Sequence, residues 1–169
     1  GIALVRMELG QFREARALFQ GLLATNPGII PFHTGLAGAE LALGDRDAAF
    51  AAYEKAMGLF PRNTPLTVRY AEALLAAGQP KKAHAILLDL LNNVPPTAEQ
   101  VRLIALAASA AGDTADAHYY MAELHLLRGD VIMAADQLRL ALSIPGLDSV
   151  QRARFTSRLA EIQEWLDRE

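Results

Sequence analysis

Catalysis by side chains needs an activated nucleophile, an acid–base pair or a metal held by converging ligands. Cys is absent from all 169 residues, which removes thiolate nucleophiles, thiolate metal sites and disulfides. His118 and His125 are the closest histidine pair. At seven residues apart they lie about 10 Å from one another along a helix axis, too far to share a metal as an i, i+4 pair does. Asp45 with Asp47 and Asp113 with Asp116 bring carboxylates together just after glycines. At such positions an acidic side chain accepts from the free N–H groups of a helix start and suits its dipole. They read as caps and not as acid–base machinery. No Ser stands in a Gly-x-Ser-x-Gly turn, no His-Glu-x-x-His occurs, and the glycines mark helix ends and not phosphate-cradling loops. The expectation is a chain with no catalytic residue, no metal site and no cofactor.

The elements that carry these residues are helical. Hydrophobic residues make up 52% of the chain but aromatics only 7%, so the apolar mass is chiefly Ala and Leu, which favour helix over strand. Net charge is −3, with both signs spread along the chain. That leaves no basic stripe for counterion release, and nucleic acid is not an expected partner. No apolar run is long enough to cross a bilayer. The chain opens on Gly1-Ile2-Ala3 without Met or a signal sequence and reads as a fragment of something longer.

Self-similarity sets the order of these helices. Gly10, Gly44, Gly78 and Gly112 are spaced 34 residues apart. Ala15, Ala49, Ala83 and Ala117 repeat in the same step, as do Pro27, Pro61 and Pro95. Each Gly ends a first helix, where a left-handed residue is needed. The small Ala five residues on allows the second helix to pass close to the first, and Phe19, Tyr53, Leu87 and Met121 then fill the space between helices. Pro closes the second helix. Thr64 before Pro65 reads as a cap, and Thr97 with Gln100 as a capping box. The reading gives helices near 2–9, 12–25, 31–43, 46–59, 65–77, 80–93, 98–111, 114–128, 131–143 and 149–168.

After Gly112 the next equivalent glycine, Gly129, comes only 17 residues later, which is half a repeat. Met121, Ala122, Ala134, Leu138 and Ala141 then fall at consensus-like positions, so the helix near 114–128 ends one unit and begins the next. Units are expected near 1–29, 30–63, 64–97, 98–128 and 114–146, the last two sharing a helix, within an array over 1–147. Residues 148–169 read as a C-terminal capping helix. Asp148 and Gln151 have capping-box spacing there, with Val150, Ala153, Leu159, Ile162 and Leu166 inward and Arg152, Arg154, Arg158, Glu161, Glu164 and Asp167 largely outward.

These columns resemble the tetratricopeptide repeat over roughly residues 1–145. The expected fold is therefore all-α, a helical-hairpin solenoid wound as a right-handed superhelix. A narrower resemblance lies in His118-Tyr119-Tyr120-Met121-Ala122-Glu123, Leu127-Arg128-Gly129-Asp130, Pro145-Gly146-Leu147 and Gln151-Arg152-Ala153-Arg154. It is similar to the C-terminal repeat domain of periplasmic zinc metallopeptidases of the β-barrel assembly-enhancing type. The resemblance implies a periplasmic, non-catalytic binding half of a protein involved in outer-membrane protein quality control, with the zinc motif upstream. A cytoplasmic scaffold or adaptor of the same fold is the alternative, because fold does not fix function.

The partner is then a protein or an unfolded polypeptide, including the chain's own upstream peptidase domain. Counting within the repeat puts Arg69, Glu72, Arg102, Leu106, Ser109, Tyr119 and Glu123 on the inner curve of the third to fifth units. The second unit offers Thr34, Gly38, Leu41 and Ala42 there, small or apolar residues unsuited to clamping an acidic tail. Arg and Tyr are frequent interface anchors, which makes the seven residues the candidate peptide-binding surface. Of Tyr119 and Tyr120, at least one is expected in the core.

Overall fold

The computed structural model describes residues 1–167, so the expected end of the last helix at 168 and of the capping segment at 169 lies outside the described residues. Ten α-helices and no strand occur among the described residues. Their caps follow from the sequence. Gly10, Gly44, Gly78, Gly112 and Gly129 all have positive φ, the conformation each helix end requires and a side chain resists. Asp45, Asp113 and Asp130 accept from the backbone N–H three residues on, and the boxes Thr97/Gln100 and Asp148/Gln151 are both closed. One expected cap is displaced. Thr64 is already helical, and Asn63 Oδ1 accepts from Leu66 N at 3.2 Å in its place.

The chain divides into two compact units, 1–73 and from 74 onward. The first holds α1 (Ile2–Glu8), α2 (Phe12–Thr25), α3 (Ile30–Ala42), α4 (Arg46–Leu59) and most of α5 (Thr64–Ala76). Ala15 and Ala49 are wholly buried, which lets neighbouring helices approach closely. Phe19 lies against Gly35, where even a Cβ would come within 2.4 Å of its ring. Tyr53 stacks on Tyr70 with centroids 5.0 Å apart, and the Tyr70 hydroxyl donates to Glu54 at 2.9 Å.

The second unit contains α6 (Pro80–Leu91), α7 (Ala98–Ala111), α8 (Thr114–Leu127), α9 (Val131–Ser143) and α10 (Ser149–Leu166), packed in chain order. Its core joins Ala122, Ala134, Leu138 and Ala141, all as the shifted register expects, to Phe155 and Ile162 of α10. Burial of α10 differs from the expected stripe. Ile162 is buried and Leu159 half-buried, whereas Val150, Ala153 and Leu166 are exposed. The inward face runs through Phe155, Leu159 and Ile162, at i, i+4 and i+7. It brings Arg154 and Arg158 inward as well, because both find carboxylates on α8.

Candidate functional site

The half-repeat step opens a groove in the second unit. In the earlier repeats the small and large columns are buried, as Ala15, Ala49, Ala83, Phe19, Tyr53 and Leu87 all are. Their fourth counterparts, Ala117 and Met121, are only half-buried. Phe19 shows what such a residue normally meets, since it packs on the first helix of the following unit at Gly35. Because α8 serves as second helix to α7 and first helix to α9, the residues that would meet a following unit instead form the wall of a cavity. That cavity is about 490 Å³ and is lined from α7 by Arg102, Leu106 and Ser109, and from α8 by Ala117, His118 and Met121, with Gln137 of α9 at its edge.

Three of the seven sequence-selected residues therefore converge. Leu106 is 58% exposed despite its apolar side chain, and Arg102 and Ser109 are exposed beside it. Arg102 has no ion pair among the described residues. His118 Nδ1 donates to Gln137 Oε1 at 2.8 Å, which leaves Nε2 of the neutral ring as an acceptor. No carboxylate lines the cavity.

Two other sequence-selected residues, Arg69 and Glu72, are exposed on α5 in the first unit. Both act on Tyr53, whose hydroxyl is pushed up by burial, lowered by Arg69 and raised by Glu72.

The last two pack against α10. Tyr119 stacks on Phe155 with centroids 5.1 Å apart, and the Arg154 guanidinium lies 4.4 Å from its ring centroid. Glu123 accepts from Arg158 Nε at 2.7 Å and Nη2 at 3.0 Å, a bidentate pair that, with Glu161, raises the Arg158 pKa. The shared helix accounts for this: the inner face of α8 is the face that α10 covers. Tyr120 is buried as one of the two tyrosines was expected to be, and burial raises its pKa.

One cluster was not singled out from the sequence. His84, Asp113 and Asp116 bring potential ligand atoms within 4.8 Å of one another, and the repeat brings them together from α6 and the start of α8. Asp113 does cap α8, as its position suggested. Asp116, read only as a second cap, is instead the buried centre of a network. Arg154 and Gln151 Nε2 both donate to it, Gln151 also donates to Asp113 at 3.2 Å, and His84 Nε2 lies 3.4 Å from Oδ2. Burial opposes the Asp116 charge, yet the His84 imidazole, the Arg154 guanidinium and the Gln151 amide outweigh it and hold the carboxyl below its ordinary value of 3.8. A cation here would have to displace the Gln151 amide and sit beside the Arg154 charge, so the donor set fits an internal ion pair better than a metal.

Comparison with known proteins bears on the whole chain. Tetratricopeptide-repeat models match residues 40–108 and residues 1–28, together more than half of it. The chain is 29% identical over 168 residues, 99% of its length, to the beta-barrel assembly-enhancing protease of Escherichia coli (strain K12). The same figures hold for that of Shigella flexneri. The chain spans only 34% of the length of these curated relatives. Among solved structures, MamA from Desulfovibrio magneticus RS-1 superposes with a TM-score of 0.63 at 19% identity, covering 98% of this chain and 93% of that one. A thermophilic TPR protein of Thermus thermophilus gives 0.53 at 23% identity, covering 94% and 96%. At these identities the likeness is one of fold.

Proposed function

Because the chain belongs to the tetratricopeptide-repeat family, a scaffold for protein interaction, we propose that it binds a polypeptide segment in the groove between α7 and α8. The observation that carries this reading is Leu106, an exposed leucine that lines an apolar, concave surface together with Arg102 and Ser109. Exposed apolar surface of this kind favours a partner because covering it removes it from water. Tyr119 and Glu123 support the groove from α10's side and do not contact the ligand. In the full-length protein this module serves a periplasmic metallopeptidase of the β-barrel assembly-enhancing type, a role supported by similarity along nearly the whole chain.

Two measurements test the two levels of this reading. Titration calorimetry with an unfolded, carboxymethylated polypeptide should give binding that Leu106→Asp weakens more than tenfold, about 1.4 kcal/mol, without moving the thermal melt. Equal affinity for wild type and variant would remove the groove from the function. Fractionation of cells making the full-length protein should find it in the periplasm, and a cytoplasmic protein would favour the scaffold reading instead.

A further inference from the structure

The form of the groove specifies its occupant more closely. Resting on the polypeptide-binding reading, we propose that the groove takes an amphipathic helix of the partner, with an aliphatic stripe against Leu106 and Met121 and an acidic residue against Arg102.

Two independent features lead there. The first is the repeat itself. Phe19, the counterpart of Met121, is 2% exposed because a helix, α3, lies on it at Gly35. Met121 and Ala117 keep the residue types of those columns but have no following first helix, since α9 is drawn into a pair with α8. The surface they leave is therefore one shaped for a helix, and an incoming helix restores the packing found elsewhere in the chain. Arg102 and Ser109, seven residues apart on α7, set a length of about 10 Å, two turns of helix.

The second feature is charge. Arg102 is the charged residue of the lining, it has no ion pair among the described residues, and no carboxylate lines the cavity with it. In a chain of net charge −3, that unpaired cation selects a partner carboxylate and disfavours a basic helix, which would bring like charges together beside apolar walls.

The test uses fluorescence anisotropy with three labelled, N-acetylated and C-amidated peptides. The first is a helix-forming Ala/Leu peptide with leucines at i, i+4 and i+7 and one Glu placed to meet Arg102. The second replaces that Glu with Lys, and the third keeps the Glu but carries a central Pro that breaks the helix. The Glu helix should bind at least tenfold more tightly than either of the others, and Arg102→Glu should reverse the preference between the Glu and Lys helices. Far-ultraviolet circular dichroism of each variant checks that it is folded. If the Pro peptide binds as well as the helix, the occupant is extended and the inference fails while the groove stands. If Arg102→Glu leaves the order unchanged, the charge argument fails in the same way. Binding of every peptide that is indifferent to Leu106→Asp, or no binding at all, removes both the inference and the reading beneath it.

Discussion

Gly35→Ala and Gly21→Ala are the same chemical change in two helices of the first unit, and the structure gives them opposite signs. A Cβ at Gly35 would stand 2.4, 2.5 and 2.9 Å from three carbons of the Phe19 ring, where carbon atoms normally rest at about 3.5–4.0 Å. The ring would have to retreat by roughly 1 Å on that distance scale. Phe19 is 2% exposed and packed against Ala3, Ala15 and Ala39, so although it also borders a cavity of about 370 Å³, moving the ring breaks those contacts. Overpacking of this kind costs about 1–3 kcal/mol, and so direct a clash belongs near the upper end. Alanine's helix propensity returns about 1 kcal/mol, for a net loss of about 2 kcal/mol. At Gly21, exposed on α2, no heavy atom lies within 4 Å of the added carbon. Only the propensity gain remains there, about 0.5–1 kcal/mol of stabilisation. Urea denaturation followed by circular dichroism should place the two variants on opposite sides of wild type. Phe19→Leu in the Gly35→Ala background should recover part of the loss. If Gly35→Ala is as stabilising as Gly21→Ala, the close α2–α3 packing is wrong.

Other perturbations probe the second unit. Asp116 has a folded pKa below its ordinary 3.8, so the stability it contributes is complete above that value and is lost as pH falls through the lower folded one. Asp116→Asn should therefore cost ~3 kcal/mol near neutral pH and progressively less below 3.8, and a penalty that does not change with pH would contradict this. Phe155→Ala should cost about 3–5 kcal/mol and raise amide exchange throughout Ser149–Leu166, because this fully buried ring joins α10 to α8 and α9; a loss under ~1 kcal/mol would show that α10 is held by its ion pairs instead. Glu123→Gln should cost no more than about 1 kcal/mol, since the Arg158 pair is partly solvated and Glu161 remains; a larger loss in a double-mutant cycle would mark the pair as functionally buried. Arg102→Glu should leave the unfolding free energy from urea denaturation within about 0.5 kcal/mol of wild type, as expected of an exposed residue without an ion pair among the described residues.

Helix order was legible because it depends on local punctuation. A glycine that must take positive φ, an Asp or Thr that must cap, and a proline beyond a helix end act within a few residues, and the 34-residue step aligned them. The displaced cap at Asn63 is the limit of such reading. Thr64 and Asn63 are both good capping residues, and only the backbone decides which one lies outside the helix. In α10 the apolar positions include more than one plausible stripe. The burial of Phe155 over Val150 depends on Tyr119, thirty-six residues earlier in the chain, and not on the helix's own pattern.

The same distance from local rules explains the divided fate of the seven surface residues. Arg102, Leu106 and Ser109 belong to α7, a helix with one role, and counting from the repeat found their exposed face. Tyr119 and Glu123 belong to α8, whose double role was visible in the 17-residue step from Gly112 to Gly129. The consequence of that step lay beyond it: a first helix's inner face is free only if no later helix turns back upon it, and α10 does so with Arg154, Phe155 and Arg158. The arginines could have signalled this. Arg154 and Arg158 lie four apart, as do Tyr119 and Glu123, so the two pairs match as one-turn rows on facing helices. The irregularity in the repeat thus moves the exposed apolar surface one helix back, to α7 and one side of α8. It closes the face of α8 that looks inward and opens the side of α8 that, in every earlier unit, the next helix covers.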